Sequence, residues 1–293
     1  MTPSEQARFN QLYQAQHGAL LRQGMRPATI DGYCRALKRI TQYFDQPPDN
    51  LTLQDLKTYF EALIISHSWS TVKIDRNGLQ FFYKHVLNIP WQWLDIVKPP
   101  QHHTLPDILT PDEVTMVINQ SKQLRFKVGF LVLYSMGLRI SEGLTLRVCD
   151  IDAKRMLVHI HNAKGGKDRF VPIPQRTLHA LRYLWTQHHH PVWLFPNPDG
   201  SDHLTRCPMQ KAMKSVLKQC GIRKNISPHS LRHSYATHLL ALGVDLRSLQ
   251  TLLGQHSLNT TVRYTRLVDS IRDNTQLAVN QLVDNLDLYW GLS

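Results

Sequence analysis

The stretch SPHSLRHSYATHLLALG, residues 227–243, carries its own start and stop signals. Ser227 is an N-cap residue, Pro228 suits the first helical position, and Gly243 suits the residue just past the end. A helix over 228–242 follows. His229 and Arg232 then lie three residues apart, on one face of its first turns. Unpaired N–H groups and the dipole make a helix N-terminus attractive to phosphate. An imidazole and a guanidinium at that end could clamp a phosphodiester, the guanidinium through two parallel hydrogen bonds. His233 and His238 sit on the same helix, so some of these histidines serve only packing or surface. A zinc site from His229 and His233 lacks the glutamate of an HExxH motif and any cysteine partner, which disfavours it.

On either side the chain reads as a mixed domain. Phe126–Met136 is an apolar helical run ending at Gly137. Residues 156–161 (MLVHIH) and 169–173 (RFVPI) read as two strands joined by AKGGKD, a hairpin with a Gly-Gly turn. Helices are expected at about 175–188, 205–220, 245–253 and 258–266. Gly221 and Gly254 are placed as helix stops. Thr110, Pro111 and Glu113 form a strong helix start.

Ahead of that start, Pro99, Pro100 and Pro106 interrupt any regular element, so 98–108 reads as a linker. Residues 1–97 are all-helical in pattern. A helix near 4–22 is followed by the stripe Ile30, Tyr33, Leu37, Ile40 and Phe44. A helix capped by Thr52 and Asp55 comes next, and then one after Ser70 with Val72, Leu79, Phe82 and Val86 inward. The expected fold is mainly α with a small antiparallel β-sheet, in two domains: helices over 1–97, and an α+β domain over 109–270. A helical tail, 271–293, carries the stripe Ala278, Leu282, Leu286 and Tyr289.

The net charge of +12 and a pI near 9.7 make a polyanion the first partner to consider, because neutralising phosphates releases counterions. Most of the excess lies after residue 100. The last segment reverses sign, with Asp269, Asp273, Asp284 and Asp287 against Arg272, which suits docking on protein rather than DNA. Cys34, Cys149, Cys207 and Cys220 show no zinc spacing and read as reduced and buried, in keeping with a cytoplasm. The N-terminus lacks a signal-peptide layout, and the apolar run from Phe126 is too short to span a membrane and contains Lys127.

Four further segments could carry chemistry, and each has an ordinary alternative. In GLRISEGLTLR, Arg139 and Glu142 could be a surface ion pair on a short helix. In NAKGGKDR, Lys164 and Lys167 could be solvated charges on a hairpin tip, or an ammonium laid against a leaving oxygen. In LLGQHSLNTT, Gln255 or His256 opens a loop into the next helix. In VRYT, Tyr264 is one of ten tyrosines, and helical tyrosines usually pack.

Taken in order, these segments resemble the tyrosine recombinase (phage integrase) family: an arginine, a hairpin lysine, HxxR, LGH, then a tyrosine. The resemblance covers nearly the whole chain, as a helical core-binding domain, a proline-containing linker before LTPDEV, and a catalytic domain. It implies catalytic roles for Arg139, Lys164, His229, Arg232 and Tyr264, the last lying ten residues after Gly254 as in the family. Lys164 rather than Lys167 takes the family position, since Lys167 and Arg169 match the following basic pair. The residue after Gly254, usually histidine or tryptophan, is Gln255, with His256 one place late. Either could supply the third phosphate contact, a glutamine amide by donating to an oxygen.

The implied activity is site-specific recombination of double-stranded DNA through a 3′-phosphotyrosine intermediate, with no cofactor and no metal. The implied partners are DNA and a homotetramer on two DNA sites. The C-terminal helix either exchanges onto a neighbour or folds back on its own domain. The shortness of the chain makes it look more like Xer-type or transposon-borne enzymes than the longer phage integrases. The rivals are a type IB topoisomerase, a non-catalytic DNA-binding protein of the same fold, and a metal nuclease. Against the last, the sequence has neither a GxxxxGK[ST] loop nor an acidic cluster for two metals.

Overall fold

The computed structural model describes residues 1–91, 94, 96, 107–161, 168–254 and 275–287, with only the backbone for 275–279. The chain divides into two compact units, Met1–His102 and His103–Ser293.

Among the described residues of the first unit, four α-helices stand out: α1 (Pro3–Arg22), α2 (Pro27–Phe44), α3 (Leu53–Ser66) and α4 (Trp69–His85). Thr2–Glu5 and Thr52–Asp55 form reciprocal capping boxes, and proline opens α1 and α2 at positions whose N–H would lack a partner anyway. Ser68 caps α4, two residues before the start read from Ser70. The apolar stripe of α2 is buried at Ile30, Leu37 and Ile40, and α4 closes on it through Val72, Leu79 and Phe82. Gly78 allows this approach: a Cβ there would sit 3.0 Å from the Tyr33 backbone. Inside this apolar setting Asp75 is 1% exposed. It accepts from the Tyr59 hydroxyl at 2.6 Å and from Arg39 at 2.5 Å, which joins α2, α3 and α4.

The second unit contains α5 (Pro111–Asn119), α6 (Leu124–Ser135), α7 (Ile140–Leu144), β1 (Ile151–Asp152), β2 (Leu157–Ile160) and β3 (Arg169–Pro172). It continues with α8 (Gln175–Trp185), α9 (Arg206–Gln219), α10 (Pro228–Ala241), α11 (Leu246–Leu253) and α12 (Thr275–Asp284). The sheet is antiparallel in the order β1-β2-β3. Its third strand escaped the sequence because two residues cannot show alternation. The expected hairpin is present as strands, while its turn lies outside the described residues, as does the helix expected near 258–266.

Two helices, α6 and α10, are buried on almost every side, which is the signature of elements at the centre of a core rather than on its surface. They pack on each other, with α5 and α8 against α6 and with α9, α11 and α12 against α10. The backbone of α12 lies on its own domain, where Leu282, Val283 and Leu286 join the central core. Arg176 secures it through Asp284 at 3.3 Å and the Leu286 carbonyl at 2.9 Å.

The cysteines correct one expectation. All four are free, but only Cys34 is buried; Cys149 and Cys207 are exposed and Cys220 is half-buried. Cys207 lies on the outer face of α9, whose inward positions are Met209, Met213, Val216 and Leu217. The face of the helix, not the residue type, decides burial there. Among the described residues no helix is long and apolar enough to cross a membrane.

Replacing Asp75 with alanine leaves the Tyr59 hydroxyl and Arg39 without their shared acceptor. Because Arg39 reaches solvent, the expected loss is about 2–3 kcal/mol rather than the full cost of a buried pair. Hydrogen exchange of α2–α4 against urea should show it, with α6 and α10 unaffected.

Candidate active site

The site begins at a turn. Gly137 has φ +58°, a left-handed conformation, and a Cβ there would lie 2.4 Å from the buried Tyr235 ring. Only glycine fits this position. The turn delivers Arg139 to the N-cap of α7, and Glu142 stands at the third helical residue. Glu142 accepts from the Arg139 backbone N–H at 2.9 Å and from its guanidinium at 2.6 Å.

The bland alternative, a surface ion pair, does not hold, because Glu142 is 8% exposed and serves more than one arginine. Arg169, the first residue of β3, binds both its oxygens at 3.0 and 2.8 Å. Arg232, in the second turn of α10 and 1% exposed, stands 3.7 Å from the same carboxylate. Burial alone would push the Glu142 carboxyl up. The Arg169 hydrogen bonds and charge, with those of Arg139, outweigh it and hold the pKa at about 2.

The same three guanidiniums share the C-terminal end of α11. Arg169 donates to the Leu252 carbonyl at 3.0 Å, Arg232 to the Leu253 carbonyl at 2.6 Å, and Arg139 to the Gly254 carbonyl at 3.4 Å. The last carbonyls of a helix lack intrahelical partners and carry the negative end of its dipole, so cations satisfy them twice over. Gly254 itself has φ +59°, and a Cβ would press on the Arg169 side chain at 2.9 Å. Arg232 also donates to the Gly137 carbonyl at 2.7 Å, closing the ring back to the starting turn.

His229 stands in the first turn of α10. Its pKa is lowered by the burial of its surroundings, then by the Arg232 and Arg139 charges, with Glu142 pulling the other way. The residue as a whole remains exposed to solvent, and the lowered pKa favours the neutral imidazole at neutral pH. The His233 ring packs edge-on against it at 4.6 Å. His238 is a packing histidine, as expected of some on this helix. It meets the Tyr134 hydroxyl at 2.8 Å, and burial pushes its pKa down to about 4.

Of the residues singled out in the sequence, Arg139, His229 and Arg232 are thus brought into one field. Lys164, Gln255, His256 and Tyr264 lie outside the described residues. Their flanks are described: Arg169 follows the hairpin tip and Gly254 precedes the last segment, and both belong to the arginine cluster. Sequence reasoning noted Arg169 only as part of a basic pair and missed its tie to Glu142 and α11. No local pattern could reveal it, since the partners are 27 and 83 residues away.

Most of the chain matches one family of known proteins. Residues 107–270 match the phage integrase family, and residues 12–93 match the phage integrase N-terminal SAM-like domain. A tyrosine recombinase XerD of Rhizobium meliloti is 32% identical over 282 residues, covering 85% of this chain and 90% of that protein. A tyrosine recombinase of Thermosipho africanus is 31% identical over 256 residues, covering 82% and 89%. In fold, the chain resembles XerH site-specific recombinase bound to difH (TM-score 0.66, 22% identity, 81% of this chain and 76% of that one). It also resembles the lambda integrase dimer bound to a core site (TM-score 0.68, 15% identity, 86% and 96%). The family match and the relatives covered over most of their length define the class, a DNA strand-exchange enzyme. The chain belongs to the phage integrase family and is a site-specific tyrosine recombinase.

Glu142→Gln removes a buried anion among three cations, with an expected loss of about 3 kcal/mol at neutral pH. The folded carboxyl titrates near 2, below its ordinary value of 4.5, so its contribution is complete above about pH 4.5 and is lost as pH falls toward 2. Urea melts of both proteins should therefore differ most at neutral pH and converge in acid.

Proposed function

We propose that Arg139 and Arg232 neutralise the scissile phosphate of double-stranded DNA, that Tyr264 attacks it, and that His229 takes the tyrosine proton. The observation that carries this reading is the charge of the cluster: among the described residues, three guanidiniums face one carboxylate, a surplus of positive charge. A phosphodiester repels nucleophiles, and its pentacovalent transition state gains further negative charge, so preorganised cations lower the barrier. The phenol, with an ordinary pKa of about 10, must lose its proton during attack. A neutral His229 beside two arginines is suited to accept it, and the guanidinium field favours the phenolate.

Lys164 would protonate the departing 5′ oxygen from the hairpin tip. Gln255 or His256 would donate to a phosphate oxygen, directly after the carbonyls that the arginines hold. Attack by Tyr264 forms a bond to phosphorus and releases a free 5′ hydroxyl, leaving a 3′-phosphotyrosine. The ester conserves the bond energy, so rejoining requires no nucleotide and no metal. By resemblance the reaction runs in a tetramer on two DNA sites. The first domain, 1–97, would grip the core DNA, and 98–108 would link it to the catalytic domain, 109–270. The DNA substrate and free cysteines suit the cytoplasm.

A DNA duplex nicked close to the cleavage site should trap a covalent protein–DNA adduct with the wild type, unaffected by EDTA. Tyr264→Phe should trap none. A trapped adduct in Tyr264→Phe would sink the assignment, and loss of activity in EDTA would favour the metal-nuclease alternative. The single-turnover rate of adduct formation should rise with pH through an acid limb below the ordinary imidazole value of 6.5, because the neutral His229 is the active form. In His229→Ala that limb should vanish.

A further inference from the structure

The base of the β2–β3 hairpin carries three metal-ligating side chains that the recombination chemistry does not use. Ile160 and Arg169 are the last paired residues of the ladder, so His161 and Asp168 are the next positions on the two strands. His159 precedes His161 by two residues and therefore shares its face. The His159 Nε2 lies 3.0 Å from Asp168 Oδ2, and the His161 Nδ1 lies 3.6 Å from the same oxygen. The three donor atoms fall within 4.8 Å of one another.

The second ring nitrogen of His161 is already committed. Its Nε2 donates to Asp150 Oδ1 at 2.7 Å, because a carboxylate can only accept. Asp150 is 6% exposed and is itself held by the Arg147 backbone N–H at 2.9 Å. With the proton on Nε2, a neutral His161 turns the Nδ1 lone pair toward the Asp168 oxygen. A cation between the two makes that arrangement favourable. A buried carboxylate behind a histidine is also the usual support of a metal ligand, fixing tautomer and orientation. The His159 ring is held as well, stacked on Phe170 with centroids 4.8 Å apart.

We propose that His159 Nε2, His161 Nδ1 and Asp168 form a binding site for a divalent transition-metal ion of the zinc type. Bonds of about 2.0–2.1 Å in tetrahedral geometry separate ligand atoms by roughly 3.3 Å, close to the two distances from the Asp168 oxygen. Two imidazoles and one carboxylate favour zinc over magnesium or calcium, which take oxygen ligands. On binding, the His159 Nε2 proton passes to solvent and the fourth position stays open to water. The ion ties the two strands together where the tip begins. Lys164 belongs to the intervening residues 162–167 of the chain. The binding itself does not depend on the role assigned to that lysine.

The test is calorimetric titration of the full chain, freed of metal by a chelator, with zinc chloride and separately with magnesium chloride. The expected result is zinc uptake that includes one site lost in both His159→Ala and His161→Ala, and no magnesium uptake at it. Asp150→Asn should weaken that site by about tenfold or more through the supporting hydrogen bond. Hydrogen exchange of 157–160 and 169–172 should slow with zinc in the wild type and not in the histidine variants. Absence of stoichiometric zinc uptake in a folded wild type would overturn the proposal, as would uptake unchanged in both histidine variants.

Discussion

One buried carboxylate holds the catalytic half of this molecule together. Three guanidiniums drawn from α7, β3 and α10 would repel one another if they converged alone, and each would suffer from leaving water. Glu142 supplies the counter-charge, and the carbonyls ending α11 accept the donors that the carboxylate cannot reach. Neither partner set would suffice. A carboxylate offers too few lone pairs for three arginines, and the helix end offers only partial charge. The combination ties four elements into one electrostatic unit. It leaves net positive charge at the place where we propose that the phosphate binds.

The surrounding fold exists to hold that unit rigid. Arg232 can be fully buried because α10 lies at the centre of the core, flanked by α6, and not on the surface. The same central placement puts the N-terminal end of α10, with His229, beside Arg139 and Arg232. Two left-handed glycines complete the arrangement: Gly137 turns the chain under Tyr235, and Gly254 lets the end of α11 approach Arg169. The neighbouring segments inherit their starting points from this unit. Residue 255 begins where the Gly254 carbonyl is held, and the hairpin tip ends where Arg169 is anchored.

A polar device of the same kind, on a smaller scale, organises the first domain. Asp75 joins three helices through Tyr59 and Arg39 in an otherwise apolar core. In both domains buried charge selects one arrangement among many that hydrophobic packing alone would permit. The cost of burial is tolerated because every oxygen has a partner.

How much was legible in the sequence follows from the range of each interaction. Helix starts and stops are local chemistry, and Thr52–Asp55, Thr110–Glu113, Ser227–Pro228 and Gly254 announced them correctly. The order of Arg139, His229 and Arg232 was also visible, because a pattern along the chain needs no coordinates to be recognised. The same sequence left Glu142 as an ordinary ion pair and Arg169 as one half of a basic pair. It could not show Asp150 behind His161, nor that Cys149 and Cys207 face outward. By itself the sequence determined most of the described helices, the two-domain division of patterns and the family of the chain. Only the tertiary structure decided which arginines share one carboxylate and one helix end. Those contacts join residues tens of positions apart, and burial, which sets their strength, is a property of the packed molecule rather than of any segment.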